Sequence, residues 1–151
     1  MDFSLQYKQQ TTLPYASIAV DPLIVLRKIP NVKSIVKHGN GYIFTLKPYV
    51  AHRALSVTPV CYIELVVHDN YVEWLHAGEH PEICNGIIQG RATRTASNQT
   101  LIEGEITVKH PWLNELTWLP MKPLVYRAGR QYVNDFIANF NNPDFNNVLP
   151  D

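Results

Sequence analysis

The chain has 151 residues, its 13 basic and 13 acidic side chains cancel, and 46% of it is hydrophobic, which is the make-up of one globular domain that buries about two-thirds of its unfolded surface. Neutral balance excludes the basic excess that nucleic acid or an anionic membrane surface would require, and no run approaches the roughly 18 apolar residues of a membrane span. Cys61 and Cys84 form no CxxC pair and read as free thiols; with an N-terminus, "MDFSLQYKQQ", that lacks a signal peptide's apolar run, the expectation is a soluble, cytoplasmic protein.

Residues 3 to 12 alternate, Phe3, Leu5 and Tyr7 on one face and Ser4, Gln6 and Lys8 on the other, which predicts a half-buried strand stopped at Pro14. "YASIAVDPLIVLRKIP" then predicts two short helices hinged at Asp21-Pro22, with Asp21 as cap and Pro22 in the first helical position. In "NVKSIVKHGNGYIFTLKPY" the period changes to two, a hairpin whose left-handed residues are assigned to Asn40-Gly41. A short strand at 53 to 58 follows. "VCYIELVVHDNYVEWLHAG" predicts a second hairpin about Asp69-Asn70, with Cys61, Ile63, Leu65 and Val67 on one face. "NGIIQGRATRTASNQTLIEGEITVKH" predicts a third, turning at Ser97-Asn98-Gln99, with Gly90 and Gly104 expected at bulges.

After "HPWLNELTWLP", read as a loop, residues 121 to 140 set Val125, Ala128, Gly129, Tyr132, Phe136, Ile137 and Phe140 at helical spacing. One long amphipathic helix results, ended by Asn141-Asn142-Pro143, with an irregular tail over about 141–151. The whole chain, 1–151, therefore reads as a single α+β domain. A curved antiparallel sheet of about seven strands wraps around one long C-terminal helix, with two short helices after the first strand. A single sheet must cover its apolar face, and only one helix is long enough to do so. The space between them suits an apolar cavity.

That order resembles the START/Bet v 1-like (SRPBCC) superfamily, the helix-grip fold. "TTLPYASIAVDPLIVLRKIPNVKSI" is similar to the family's passage from strand one through two V-shaped helices to strand two. "PLVYRAGRQYVNDFIANF" looks like its closing helix, and the likeness spans roughly residues 3 to 140. The resemblance implies a hydrophobic-ligand pocket between sheet and helix. Some members bind lipids, sterols or plant hormones, others cyclise polyketides, and others are assembly or co-chaperone modules, so fold alone does not choose. The family shares no catalytic motif, and no catalytic residue transfers.

"HAGEHPEIC", residues 76 to 84, matches the spacing H-x-x-E-H. Metalloprotease chemistry needs the two histidines on one helical face. Gly78 costs a helix about 1 kcal/mol and Pro81 pushes His80 out of helical conformation, so a polar surface loop is the favoured reading. A loop metal site using His76, Glu79 and His80 is the weaker alternative. Arg91 and Arg94 take opposite faces of a regular strand, unless a bulge at Gly90 turns both outward. Glu64 and Glu73 are expected to face solvent, Val72 and Trp74 being the inward set. Trp112 and Trp118 are core, or else the mouth of a pocket.

The leading expectation is a protein without chemistry of its own that binds a hydrophobic small molecule or lipid and no nucleic acid, cofactor or metal. Strand parity and the helix stripe nominate Phe44, Leu46, Ile63, Leu65, Trp74, Ile88, Ile106, Met121, Val125, Tyr132 and Phe136 as cavity walls. A cyclase or dehydratase would instead use Tyr62, Tyr132, His76 or Arg94 as acid, base or oxyanion donor. An interaction module would have a filled interior and work through residues 112 to 120.

Overall fold

The computed structural model describes residues 2–52, 55–78, 81–111 and 113–151. Seven strands form one antiparallel sheet in the order β1-β9-β8-β7-β6-β3-β2. They are β1 (Asp2–Pro14), β2 (Val32–His38), β3 (Gly41–Leu46), β6 (Val60–Val67), β7 (Tyr71–Leu75), β8 (Gly86–Arg94) and β9 (Gln99–Lys109). Two short helices, α1 (Tyr15–Val20) and α2 (Ile24–Arg27), follow β1, and α3 (Glu115–Phe140) closes the chain. The α+β helix-grip arrangement expected from the order of elements is the observed one. The segment expected as a short strand at 53 to 58 contributes β5 (Leu55–Val57), which pairs with β4 (Tyr49–His52) as a separate ribbon outside the main sheet.

Local chemistry explains each boundary. Pro14 stands immediately before α1 in an extended conformation. Contrary to expectation, Asp21 does not cap α2 and Pro22 is not its first residue; the Asp21 carboxylate pairs with Arg27, its carbonyl takes the Ile24 N–H at 3.1 Å, and the helix starts two residues after Pro22. The β2–β3 turn is Gly39-Asn40 rather than Asn40-Gly41, because His38 pairs with Gly41 and the positive φ, 56°, lies at Gly39. A two-residue hairpin with glycine first matches the sheet's right-handed twist. Asp69-Asn70 joins β6 to β7, with Val67 paired to Val72. Along β6 the inward side chains leave the core progressively: Cys61 and Ile63 are buried, Leu65 is partly so, and Val67 is 59% exposed.

The long helix begins six residues earlier than its apolar stripe suggested. Asn114 Oδ1 accepts from the backbone N–H groups of Leu116 and Thr117 at 2.9 and 3.0 Å, and Thr117 Oγ1 accepts from the Asn114 N–H at 2.9 Å. This reciprocal cap satisfies donors that a helix start leaves open. Pro120 and Pro123 lie inside the helix, and each removes one i→i−4 hydrogen bond, which is why a reading by stripe placed the start after them.

Gly90 and Gly104 are not bulges. The β8–β9 register runs unbroken from Gly86↔Val108 to Arg94↔Thr100, and the two glycines pair with each other. Tyr7 pairs with Gly104 on one side and Trp74 with Gly90 on the other. Four strands thus carry the inward row Tyr7, Gly104, Gly90, Trp74, with space in its middle for the two large rings. A Cβ on Gly104 would stand 2.7 Å from Tyr7 Oη, and one on Gly90 would stand 2.9 Å from Trp74 Cζ2. Both rings turn edge-on to Phe136 of α3, at centroid distances of 5.9 Å for Tyr7 and 6.1 Å for Trp74.

The tail is irregular but tied down. Lys28, 1% exposed, donates from Nζ to the carbonyls of Asn142 and Phe145 at 2.9 and 2.7 Å, and Asn147 donates to the carbonyls of Arg27 and Ile29. Gly104→Ala is expected to destabilise the protein by about 2 kcal/mol or more, because overpacking forces Tyr7 or the β8 backbone to move. Gly39→Ala, with no neighbour within 4 Å, should cost only the left-handed strain of about 1 kcal/mol. Urea denaturation of both variants measures the difference, and equal losses would contradict the packed row.

Candidate functional site

Between the sheet and the middle of α3 lies a cavity of about 280 Å³. Leu46, Pro59, Cys61, Ile88 and Ile106 form its floor, Phe3, Tyr49 and His110 one end, and Val125, Ala128, Gly129 and Tyr132 the helix wall. Asn31, Lys47 and Gln131, all exposed, and the half-buried Asp135 stand at its rim, and Gln131 Nε2 donates to Asp135 Oδ1 at 2.9 Å. Two glycines shape the space by close approach. At Gly129 a Cβ would come 2.6 Å from Phe3 Cε1, so the bare backbone lets α3 settle onto β1 there, and at Gly86 it would come 2.9 Å from Cys61 Sγ.

Of the residues nominated from sequence, Leu46, Ile88, Ile106, Val125 and Tyr132 line this cavity. Phe44, Ile63, Trp74 and Phe136 are fully buried in the packed core, and Leu65 and Met121 lean against it. Trp118 lies on α3, not in a preceding loop, partly buried with its ring 6.4 Å from Phe3. Trp112, Glu79 and His80 fall outside the described residues. Among the described residues, no group of three or more His, Cys, Asp or Glu side chains is arranged to hold a metal ion, and His76 is half-buried away from the cavity wall.

The other polar candidates lie elsewhere. Tyr62 is on the outer face, where its hydroxyl donates to Glu64. Glu64, expected in solvent, is half-buried for that reason, and burial together with the adjacent carboxylate pushes the Tyr62 phenol up to about 12. Glu73 faces outward against His68 at 2.7 Å. Arg91 pairs with Glu103 at 2.8 Å. Arg94 keeps inward parity but stands at the end of β8, exposed, with Nε 3.3 Å from Asn98 Oδ1. Both arginines are therefore exposed without any bulge.

His110 is the polar residue that pattern reading missed. It continues the inward parity of Ile106 and Val108 one step beyond the end of β9, which is the signal that would have found it. The ring is buried, edge-on to Phe3 at 6.5 Å and Tyr49 at 5.6 Å. Its Nδ1 donates to the Val108 carbonyl at 3.1 Å. Burial lowers its pKa, partly offset by that carbonyl bond. Burial likewise pushes the Cys61 thiol up to about 12, with Cys84 adding to the effect, and holds the Tyr132 phenol well above its ordinary value. At neutral pH the inner wall is therefore uncharged, and the charged lining residues Lys47 and Asp135 are at the rim.

No family model and no curated protein matches this sequence. Solved structures do match in fold. SA2116 from Staphylococcus aureus, a protein of unknown function, shares 13% identity at a TM-score of 0.55, covering 93% of this chain and 91% of its own. The Zhui aromatase/cyclase from Streptomyces sp. R1128 shares 8% at a TM-score of 0.55, covering 93% and 92%. TTHA0849 from Thermus thermophilus shares 12% at a TM-score of 0.52, covering 92% and 94%. At these identities the likeness is one of fold, the helix-grip arrangement.

A thiol assay on the native protein at pH 8 should modify Cys84, which is half-buried, and leave Cys61 until the chain unfolds. Cys84→Ser should then be inert when folded, and two native equivalents would contradict the closed floor. For His110, the unfolded pKa lies near 6.5 and the folded value is lower, so between them the unfolded chain binds the extra proton. Its stability contribution is complete above about pH 6.5 and declines as pH falls toward the folded value. His110→Phe, which retains an aromatic ring against Phe3 and Tyr49, should flatten that acid limb in a series of thermal melts; an unaltered limb would contradict a buried neutral imidazole.

Proposed function

We propose that this protein binds a compact, neutral, hydrophobic molecule in the cavity beneath α3. The observation that carries the reading is an apolar space of about 280 Å³ whose inner wall is uncharged while its charged side chains stand at the rim. Ligand sites are concave, mostly apolar and of roughly 300–1,000 Å³; a cavity at the lower end of that range suits a ring-sized compound better than a two-chain lipid. No described helix is long and apolar enough to cross a membrane, and two free thiols suit a reducing, cytoplasmic setting.

A second reading, an enzyme of the cyclase type, draws on His110 and Tyr132 sharing one cavity and on the aromatase/cyclase among the structural neighbours. It needs one of them to give or take a proton, whereas Tyr132 has its one hydrogen bonded to a main-chain carbonyl and its phenol held well above the ordinary value by burial, and burial makes the His110 imidazole a weaker base. Binding alone is the better-supported function.

The test is a thermal-shift and native mass screen of small aromatic and alicyclic compounds. A true ligand at a hundredfold excess over its Kd stabilises by about 2.7 kcal/mol, which is roughly 5–10 °C for a domain of this size. Ala128→Phe, which fills the space from the helix wall, should fold yet lose the shift. A screen with no shift and no adduct, or a shift that persists in the filled variant, would sink the proposal.

A further inference from the structure

Strand β1 is one edge of the sheet, and one contact fixes the direction of its main-chain groups. The Thr12 N–H turns away from β9 to reach Asn141 Oδ1 at 2.7 Å. In a planar trans peptide the Thr11 carbonyl then points the opposite way, toward β9. The β1–β9 register is unbroken from Asp2↔Lys109 to Thr11↔Thr100, so direction alternates residue by residue. Phe3, Leu5, Tyr7 and Gln9 therefore bond to β9, while Asp2, Ser4, Gln6 and Lys8 turn both main-chain groups outward. The Ser4–Thr107 side-chain contact, at 2.8 Å, agrees, since side chains approach most closely at pairs without main-chain bonds. Among the described residues, nothing bonds to the outward groups of Asp2–Lys8. Beyond them the edge is occupied: the Gln10 carbonyl accepts from Gln9 Nε2 at 3.3 Å, and Asn141 takes Thr12. Pro14 and the register shift come only after Thr11, so apart from Lys8 the open stretch lacks the devices that blunt sheet edges.

We propose that a second copy of this chain docks on the Asp2–Lys8 edge, β1 against β1, antiparallel about a two-fold axis at Leu5. That register sets Ser4 opposite the partner's Gln6 and Asp2 opposite the partner's Lys8, all residues whose main-chain groups face outward, and exchanges about eight main-chain hydrogen bonds. Charge selects it. The side chains of Asp2, Ser4, Gln6 and Lys8 are exposed, and among the described residues neither Asp2 nor Lys8 belongs to an ion pair within the chain. The two-fold axis at Leu5 brings Asp2 and Lys8 together twice, once on each side. An axis one residue along, at Gln6, would set Asp2 against the partner's Gln10 and Lys8 against the partner's Ser4, with no charge paired. Apolar surface stands beside the same edge. The Tyr126 ring, 6.0 Å from Phe3, is 42% exposed, and Leu119, two turns earlier on that side of α3, is 76% exposed. The proposal is independent of what the cavity binds.

The experiment is sedimentation velocity of the full chain at pH 7 from micromolar to submillimolar concentration, with each variant checked for folding by circular dichroism. The wild type should show a monomer–dimer equilibrium, and a chain that stays monomeric at the highest concentration overturns the proposal. Gln6→Pro removes an outward donor and leaves the bonds to β9 intact, so it should fold and be monomeric; a dimer that persists in it lies elsewhere and overturns the proposal. Asp2→Lys and Lys8→Asp each set like charges against each other across the axis and should weaken self-association roughly tenfold. Mixed in equal amounts, the two variants restore both opposite-charge pairs and should associate with each other about as tightly as the wild type does with itself. A mixture that associates no better than either variant alone overturns the register and the proposal with it.

Discussion

The structure depends on the absence of two side chains. Where Gly104 and Gly90 face each other across β9 and β8, the inner surface is low enough for Tyr7 and Trp74 to lean in from the flanking strands and meet Phe136 edge-on. Burying the Phe136 side chain contributes roughly 1.5–3 kcal/mol, and the edge-to-face pairs add about 0.5–1.5 kcal/mol each, so this contact fixes the C-terminal half of α3 close to the sheet. Farther up the helix, Gly129 lets α3 approach Phe3 just as closely. Beside those two seats the lining residues are mostly short or branched, among them Val125, Ala128 and Gly129 of α3, and the cavity lies against them.

Charge is sorted by face. The Arg91–Glu103 ion pair and the His68–Glu73 and Tyr62–Glu64 hydrogen bonds lie on the convex side, where an exposed ion pair contributes about 0–1 kcal/mol and serves mainly to keep that surface wet. Among the described residues, the inner wall of the cavity holds rings, aliphatic chains, the Cys61 thiol and the His110 imidazole, with Lys47 and Asp135 at its rim. The Nδ1 hydrogen of His110 and the hydroxyl hydrogen of Tyr132 are each held by a main-chain carbonyl.

Much of this was legible in the chain, and the exceptions share a cause. Alternation in β1, the existence of three hairpins and the apolar stripe of α3 all follow from local periodicity, which is why the architecture could be read from residues such as Phe3, Leu5, Tyr7 and Val125, although the first turn was placed one residue late. Four of the eleven nominated wall residues lie deeper: Trp74 and Phe136 point to the right side, but parity says nothing about which inward side chains touch one another and which leave a gap. Gly90 and Gly104 looked like bulges because one strand alone cannot reveal that two glycines will be opposite each other. Prolines at 120 and 123 concealed the true helix start, whose signal was instead the cap made by Asn114 and Thr117. "HAGEHPEIC" falls between β7 and β8, where Gly78 adopts a φ of 69° that a regular helix does not allow.

The position of Tyr132 in the cavity wall can itself be traced to how the chain closes. Helix α2 is only four residues long, and the last carbonyls of any helix lack intrahelical donors. Here four consecutive carbonyls find them in the C-terminal part of the chain: Arg27 from the Asn147 N–H at 2.9 Å, Lys28 from Asn139 Nδ2 at 2.9 Å, Ile29 from Asn147 Nδ2 at 2.7 Å, and Pro30 from the Tyr132 hydroxyl. Lys28 reciprocates by donating to the Asn142 and Phe145 carbonyls just beyond the end of α3, where desolvation of its ammonium is offset by two hydrogen bonds and by Asp144 nearby. The tail, α2 and α3 therefore form one reciprocal clamp. Tyr132 belongs to that clamp through its hydroxyl and also lines the cavity, so the closure that stabilises the fold also fixes one part of the wall.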